Sequence, residues 1–202
     1  MKPIRIVETG LANIASMEAA LARLQLKSER TRDPDLTLSS DRVVLPGVGS
    51  FGAAMPFLKK SGLADSIRRR IHEGKPTLAI CLGMQLLAEK SEEAEGVEGL
   101  ACIAGKVIEL PKTRQVPQLG WNFVQKDASS RMVQSGYAYF ANSYCLPSAP
   151  KGWTCAETTY GIPMVSAMER GDVLACQFHP ELSGSWGSEL LKRWAKGGGV
   201  SC

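Results

Sequence analysis

No stretch constrains this chain more than Lys75-Pro76-Thr77-Leu78-Ala79-Ile80-Cys81-Leu82-Gly83-Met84-Gln85. Behind a Gly-Lys-Pro punctuation, Thr77 to Ile80 is a short apolar run that reads as a buried strand. Met84 to Glu89 reads as a helix, which leaves Cys81 on a sharp turn between the two. Such a turn holds the sulfur out of the sheet, and a helix N-terminus favours its thiolate form. Taken alone, the pattern fits a buried, inert thiol, the common fate of a free cysteine, as well as it fits a nucleophile.

The flanking chain has the rhythm of an α/β fold. Ile4 to Val7 reads as a first strand. Ile14, Met17, Leu21 and Leu24 then recur at helical spacing behind Asn13, a residue suited to an N-cap. Arg42 to Leu45 is the next strand, and Pro46-Gly47-Val48-Gly49-Ser50 forms a loop at its carboxyl end. Leu63, Ile67 and Ile71 mark a further helix before the strand that leads to Cys81. This alternation predicts a mostly parallel sheet with helices on both faces, a three-layer sandwich. Ligands of such sheets gather beyond the carboxyl ends of the strands. Glu92 to Gly99 is acidic and glycine-punctuated, and reads as a surface loop. Tyr137 to Tyr144, Trp153 to Tyr160, Pro163 to Met168 and Val173 to Phe178 read as strands, mostly in antiparallel meanders, and Ser185 to Lys196 as a closing helix. The second half is expected to add strands to the same sheet, so that residues 1–202 form one domain.

Charge and cysteine usage narrow the function classes. The net charge is +4, with basic residues scattered through Arg23, Lys27, Arg30, Arg32, Arg68, Arg69 and Arg70 rather than interleaved with aromatics. They read as solvated faces, and no nucleic-acid partner is expected. No apolar run reaches the length of a membrane span, and the N-terminal residues lack the apolar core of a secretory signal, so neither a membrane span nor secretion is expected. Six cysteines at 81, 102, 145, 155, 176 and 202 show no C-x-x-C spacing. That argues against zinc and against a disulfide framework, so a cytoplasmic setting with no metal and no cofactor is expected.

Two histidines are available. His72 shares its predicted helix with Arg68, Arg69 and Arg70 and reads as a solvated C-terminal residue. His179 follows an apolar run and precedes Pro180, which biases it towards an extended backbone. Glu181, two residues on, can then reach one imidazole nitrogen and leave the other for a nucleophile. Thiol, imidazole and carboxylate are the parts of a triad, although His179-Pro180-Glu181 also fits a packed histidine with a capping glutamate. Ala79 and Gly83 around Cys81 match the small-x-nucleophile-x-glycine elbow of hydrolases, with sulfur replacing oxygen. Gly47-Val48-Gly49 is a common turn in isolation; opposite a thiolate it is an anion nest, with the Leu82 amide as second oxyanion donor.

Leu45-Pro46-Gly47-Val48-Gly49, Cys81-Leu82-Gly83-Met84-Gln85 and Gln177-Phe178-His179-Pro180-Glu181 resemble, in this order, the three signatures of class I (triad) glutamine amidotransferases. Gly10-Leu11-Ala12-Asn13, Val116-Pro117-Gln118-Leu119-Gly120-Trp121-Asn122, Tyr139 to Tyr144 and Thr158 to Gly161 are similar, within that class, to the glutaminase subunits of imidazole glycerol phosphate synthases. The resemblance runs from end to end. It implies that Cys81 attacks the carboxamide of L-glutamine, that His179 shuttles protons and that Glu181 orients it. It further implies that Gln85, Ser143 and Tyr144, with the backbone of Gly47, Val48, Gly49 and Leu82, hold glutamine and its oxyanion. The implied partner is an eight-stranded β/α-barrel cyclase in a heterodimer, which takes the ammonia to make imidazole glycerol phosphate and an aminoimidazole carboxamide ribotide. Asn13, Pro117, Gln118, Trp121, Asn122 and Leu182 would face it, with Gly120-Trp121-Asn122 as a turn. An exposed tryptophan suits an interface anchor, and a core tryptophan fits the same letters.

Departures touch the rim and spare the triad. The family usually opens Asp-Tyr-Gly-x-Gly-Asn, where this chain has Glu8-Thr9-Gly10-Leu11-Ala12-Asn13; it often has histidine at the position of Asn142, and Lys-Ser after His-Pro-Glu where Leu182-Ser183 stands here. Rival readings are the amidotransferase of another synthase, a regulatory relative without turnover, and a cysteine hydrolase that needs no partner. Poor activity without the liganded partner is the expectation that separates the last from the first.

Overall fold

The computed structural model describes residues 2–9, 14–47 and 49–197. The chain opens with β1 (Ile4–Val7), α1 (Ile14–Arg23), β2 (Ser28–Thr31), α2 (Pro34–Ser39), β3 (Val43–Leu45), α3 (Phe51–Lys60), α4 (Leu63–His72), β4 (Thr77–Ile80) and α5 (Leu82–Gln85). It continues with β5 (Lys90–Ser91), β6 (Lys106–Glu109), β7 (Gln118–Val124), β8 (Gly136–Asn142), β9 (Tyr144–Cys145), β10 (Thr154–Tyr160), β11 (Ile162–Arg170), β12 (Val173–Cys176) and α6 (Gly184–Lys196). β4 lies in the middle of a seven-stranded sheet ordered β10-β11-β12-β4-β3-β1-β2. Pairs from β2 to β12 are parallel, and β10–β11 and β11–β12 are antiparallel.

Helices cover both faces, so every residue of β3 and β4 is buried. Alternation divides them between two cores. Leu78, Ile80 and Val44 face a core with Met17 and Leu21 of α1 and Leu190, Leu191 and Trp194 of α6. Ala79, Val43 and Leu45 face the other, with Phe51 and Leu58 of α3 and Ile67 and Ile71 of α4. Among the described residues, no helix is long and apolar enough to cross a membrane, and five cysteines are free.

Several elements differ from the sequence expectations. α5 stops at Gln85 rather than running to Glu89, and the chain then turns into β5. In the second half only β10, β11 and β12 join the main sheet; β5, β6 and β9 form a small sheet, and β7 and β8 a two-stranded ribbon. Gly120-Trp121-Asn122 is not a turn but the middle of β7, paired with Ala138, Tyr139 and Phe140. Arg70 is not on a solvated face. It is wholly buried, and its guanidinium donates to the carbonyls of Thr37, Leu38, Ser40 and Pro76 and to Thr77 Oγ1. Burial lowers it to about 10, and Glu73 and Asp41 act weakly in the other direction. His72 is exposed at the end of α4, as its letters suggest.

Candidate active site

β4 and β12 run side by side in register, Ile80 beside Cys176, so both chains leave the sheet at the same edge. Cys81 leaves β4 at φ 50° and ψ −111°, a conformation L-residues avoid at a cost of about 1–3 kcal/mol. It is pinned on both sides: its N–H donates to Cys176 O at 2.7 Å, and its own carbonyl accepts from Gln85 N at 3.1 Å. A third constraint comes from glycine. A Cβ on Gly47 would lie 2.2 Å from Gly83 N, and one on Gly83 would lie 2.3 Å from Leu45 O. Only two glycines let the loop after β3 touch the Cys81 turn backbone to backbone. Gly49 has φ 111°. Val48 and Asn13, and with Asn13 the segment Gly10–Ala12, lie outside the described residues.

Beyond β12, Gln177 and Phe178 are buried and His179 is 5 % exposed. His179 is extended, as Pro180 dictates, at φ −99° and ψ 97°. Its Nδ1 lies 2.8 Å from Glu181 Oε1. The contact arises from a 3-10 turn over Pro180–Leu182, not from an extended run in which i and i+2 share a face. The histidine backbone is clamped to β8: its N–H donates to Tyr139 O at 2.9 Å, and Ser183 Oγ donates to His179 O at 2.6 Å while accepting from Tyr139 N at 2.9 Å. Burial pulls the imidazole down. Cys81 and Glu181 together outweigh that and raise it to about 10.

Cys81 Sγ is 3.7 Å from Ala141 O and 3.7 Å from Gln177 Nε2. A cavity of about 270 Å³ opens over it, lined by Gly47, Gly49, Leu82, Gln85, Glu93, Asn142, Ser143, Tyr144 and His179, with Pro117 and Leu119 at its edge. The predicted residues are therefore gathered in one place, with two qualifications. Gln85 has both amide hydrogens committed, to Tyr144 O and Gln177 Oε1, each at 3.0 Å, which leaves its carbonyl oxygen for a ligand. Gln118 is 2 % exposed, because alternation along β7 turns its side chain inward while Leu119, Trp121 and Phe123 face out; a partner can touch Pro117 and Trp121 but not the Gln118 side chain. Asn122 is half-buried and donates to Thr159 O. Leu182 is exposed at 45 %, and Trp121 at 57 %.

Four residues of the site had no role assigned from the sequence. Glu93 lies in the acidic loop, caps α3 by accepting from Phe51 N at 2.9 Å, and also lines the cavity. Desolvation, then Glu109, Glu93 and Glu92, hold the Tyr144 phenol above its ordinary range. Gln177, Ala141 and Ser183 act through atoms that no periodicity reveals. Among the described residues no group of three His, Cys, Asp or Glu could hold a metal ion.

The family model for glutamine amidotransferase class-I matches residues 6–196. The chain is 39 % identical over 197 residues to imidazole glycerol phosphate synthase subunit HisH of Caldanaerobacter subterraneus subsp. tengcongensis, covering 96 % of this chain and 97 % of that one. It is 40 % identical over 197 residues to the protein of the same name from Escherichia coli, covering 94 % and 96 %. Its backbone is similar to a crystal structure of a glutamine amidotransferase at a TM-score of 0.77 and 20 % identity, over 97 % of this chain and 99 % of that one.

Proposed function

The chain belongs to the class-I glutamine amidotransferases, and we propose that it is the glutaminase subunit of an imidazole glycerol phosphate synthase, acting as one domain over residues 1–202. The observation that carries the reading is the strained Cys81, held at the mouth of a cavity beside a His179 that Glu181 orients. The sulfur attacks the side-chain carbonyl carbon of glutamine with its proton resting on His179. The oxyanion that forms faces the wall of Gly47, Gly49 and the Leu82 backbone. His179 passes its proton to the leaving nitrogen, ammonia departs, and a thioester to Cys81 remains. His179, now neutral, takes a proton from water; the hydroxide opens the thioester and glutamate leaves. Glu93, which caps α3 and also lines the cavity, suits the α-ammonium of the substrate.

The relatives named above are subunits of a synthase. A β/α-barrel cyclase is the partner we propose, receiving ammonia to make imidazole glycerol phosphate and an aminoimidazole carboxamide ribotide. Leu119, Trp121, Phe123 and Tyr137 form an exposed apolar face on the β7–β8 ribbon next to the cavity, with Leu182 also exposed, and larger exposed apolar patches mark docking sites. A glutamine-analogue electrophile should label Cys81, and the chain with a barrel subunit should form the cyclase product from glutamine. Absence of labelling at Cys81, with product formed from ammonia alone, would remove the glutaminase.

A further inference from the structure

Cys81 sulfur sits between an acceptor and a donor. Ala141 O, at 3.7 Å, can only accept, and so suits the thiol; Gln177 Nε2, at 3.7 Å, donates, and so suits the thiolate. The two ends of an amide side chain have the same shape, so which end of Gln177 meets the sulfur must be fixed by its neighbours. A backbone carbonyl fixes it here. Tyr144 O accepts only, so the Gln85 amide turns its NH2 towards it, at 3.0 Å. The second hydrogen of that NH2 reaches Gln177 at 3.0 Å, and the atom it meets must be Oε1. That leaves the Gln177 NH2 for the sulfur. Gln177 is wholly buried and its backbone N–H is tied to Ser166 O at 2.8 Å, so the side chain has no competing water. With α5 only four residues long, the helix dipole behind Cys81 is short.

We propose that Gln177 is a further catalytic residue, whose side-chain amide stabilises the Cys81 thiolate by direct donation and is aimed by the chain Tyr144 O, Gln85, Gln177. The proposal rests on Cys81 being the nucleophile. No bond beyond those already described is formed: the sulfur proton moves to His179, and Gln177 Nε2 keeps both of its own. The titratable groups around the sulfur are His179 with Glu181 behind it, Glu93 and Tyr144 on the wall of the same cavity, and Cys176 in the same core on the adjoining strand.

The test is alkylation of Cys81 by iodoacetamide in the full chain, followed by mass spectrometry across pH, with glutaminase kinetics alongside. A charge-assisted donor is lost in Gln177→Met. Its alkylation rate near neutral pH should fall about tenfold or more, the profile should rise at higher pH, and its alkaline plateau should match the parent. kcat for glutamine should fall in proportion, with KM within about twofold. Gln177→Glu keeps the size but aims an acceptor at the sulfur, and should fall further; it stands in if the methionine variant does not fold. Gln85→Met frees the Gln177 amide to turn and should shift the profile the same way by less. Profiles that superimpose on the parent in Gln177→Met or Gln177→Glu would overturn the proposal and reduce Gln177 to packing. Failure of the underlying reading looks different: the unmutated chain would then show no labelling of Cys81 by a glutamine analogue.

Discussion

β4 has a buried cation near each end, and the two are held by opposite means. Near its start Arg70 meets only neutral oxygens, four carbonyls and a hydroxyl, and burial alone moves it down to about 10. Beyond its far end His179 meets a carboxylate and a sulfur, which lift it past its burial to about 10. The guanidinium is charged near neutral pH and bonds only to neutral oxygens, so its site is a strut. The imidazole is raised by Cys81 and Glu181, the side chains it works with, so its hold on a proton changes as that chemistry proceeds. At the first end every guanidinium nitrogen has a hydrogen-bond acceptor. The second keeps a Glu181 Oε2 with no hydrogen-bond partner among the described residues and a backbone outlier at Cys81.

The comparison breaks most sharply at the sulfur. Cys81→Ala should lower glutamine hydrolysis by about four orders of magnitude or more, while thermal stability holds and a complex fed with ammonia still turns over. Retained hydrolysis would refute the assignment of the reactive end. Glu181→Gln keeps an acceptor but removes the charge, and its loss should be about a hundredfold smaller than that of Cys81→Ala. A variant as inactive as the alanine would mean that the charge, and not orientation, is what matters. Adding a barrel subunit with its nucleotide ligand should raise glutaminase activity by about 10²–10³, the worth of one oxyanion donor brought into line. Equal rates with and without it would favour a stand-alone hydrolase.

At the strut the expected effect is on stability. Arg70→Met strands several buried carbonyls, and should cost about 3 kcal/mol and lower Tm by about 6–12 °C, with kcat per folded molecule within about twofold. An equal Tm would mean that these carbonyls find other donors. The smallest effect is in pH. The folded value of His179, about 10, lies above its ordinary 6.5, so its contribution to stability is complete below about 6.5 and is lost as pH climbs through 10. Urea midpoints for the parent should decline across that window, and His179→Gln should flatten the decline.

Much of this was legible in the letters, for reasons particular to each element. Thr77–Ile80 and Ile4–Val7 are short, apolar and well punctuated, and their bounds in the fold are those read from the sequence. α1 and α4 carry a one-sided stripe. α3 went unread because Gly52 and Pro56 interrupt it, yet Glu93 caps it from a distant loop and its buried face is continuous. α2 carries an Asp33 cap and Pro34 at its start, but six residues show no period. β7 was lost to the Gly120-Trp121-Asn122 turn signal, since pairing with β8 prevails over local preference. At the site, residue types that do chemistry could be picked out by spacing. Ala141 O and the aim of Gln177 could not, because a carbonyl has no letter of its own and an amide's direction depends on a partner 92 residues away.

The contact of Gly47 with Gly83 has a dynamic consequence. Two backbones in direct touch cannot be displaced independently, so thermal motion of the loop after β3 and of the Cys81 turn must be correlated. A reaction senses the vector between sulfur and oxyanion wall, not the position of either in space. The site can therefore ride on a breathing sheet and keep that vector constant, its positional noise being common to both members and cancelling in the difference.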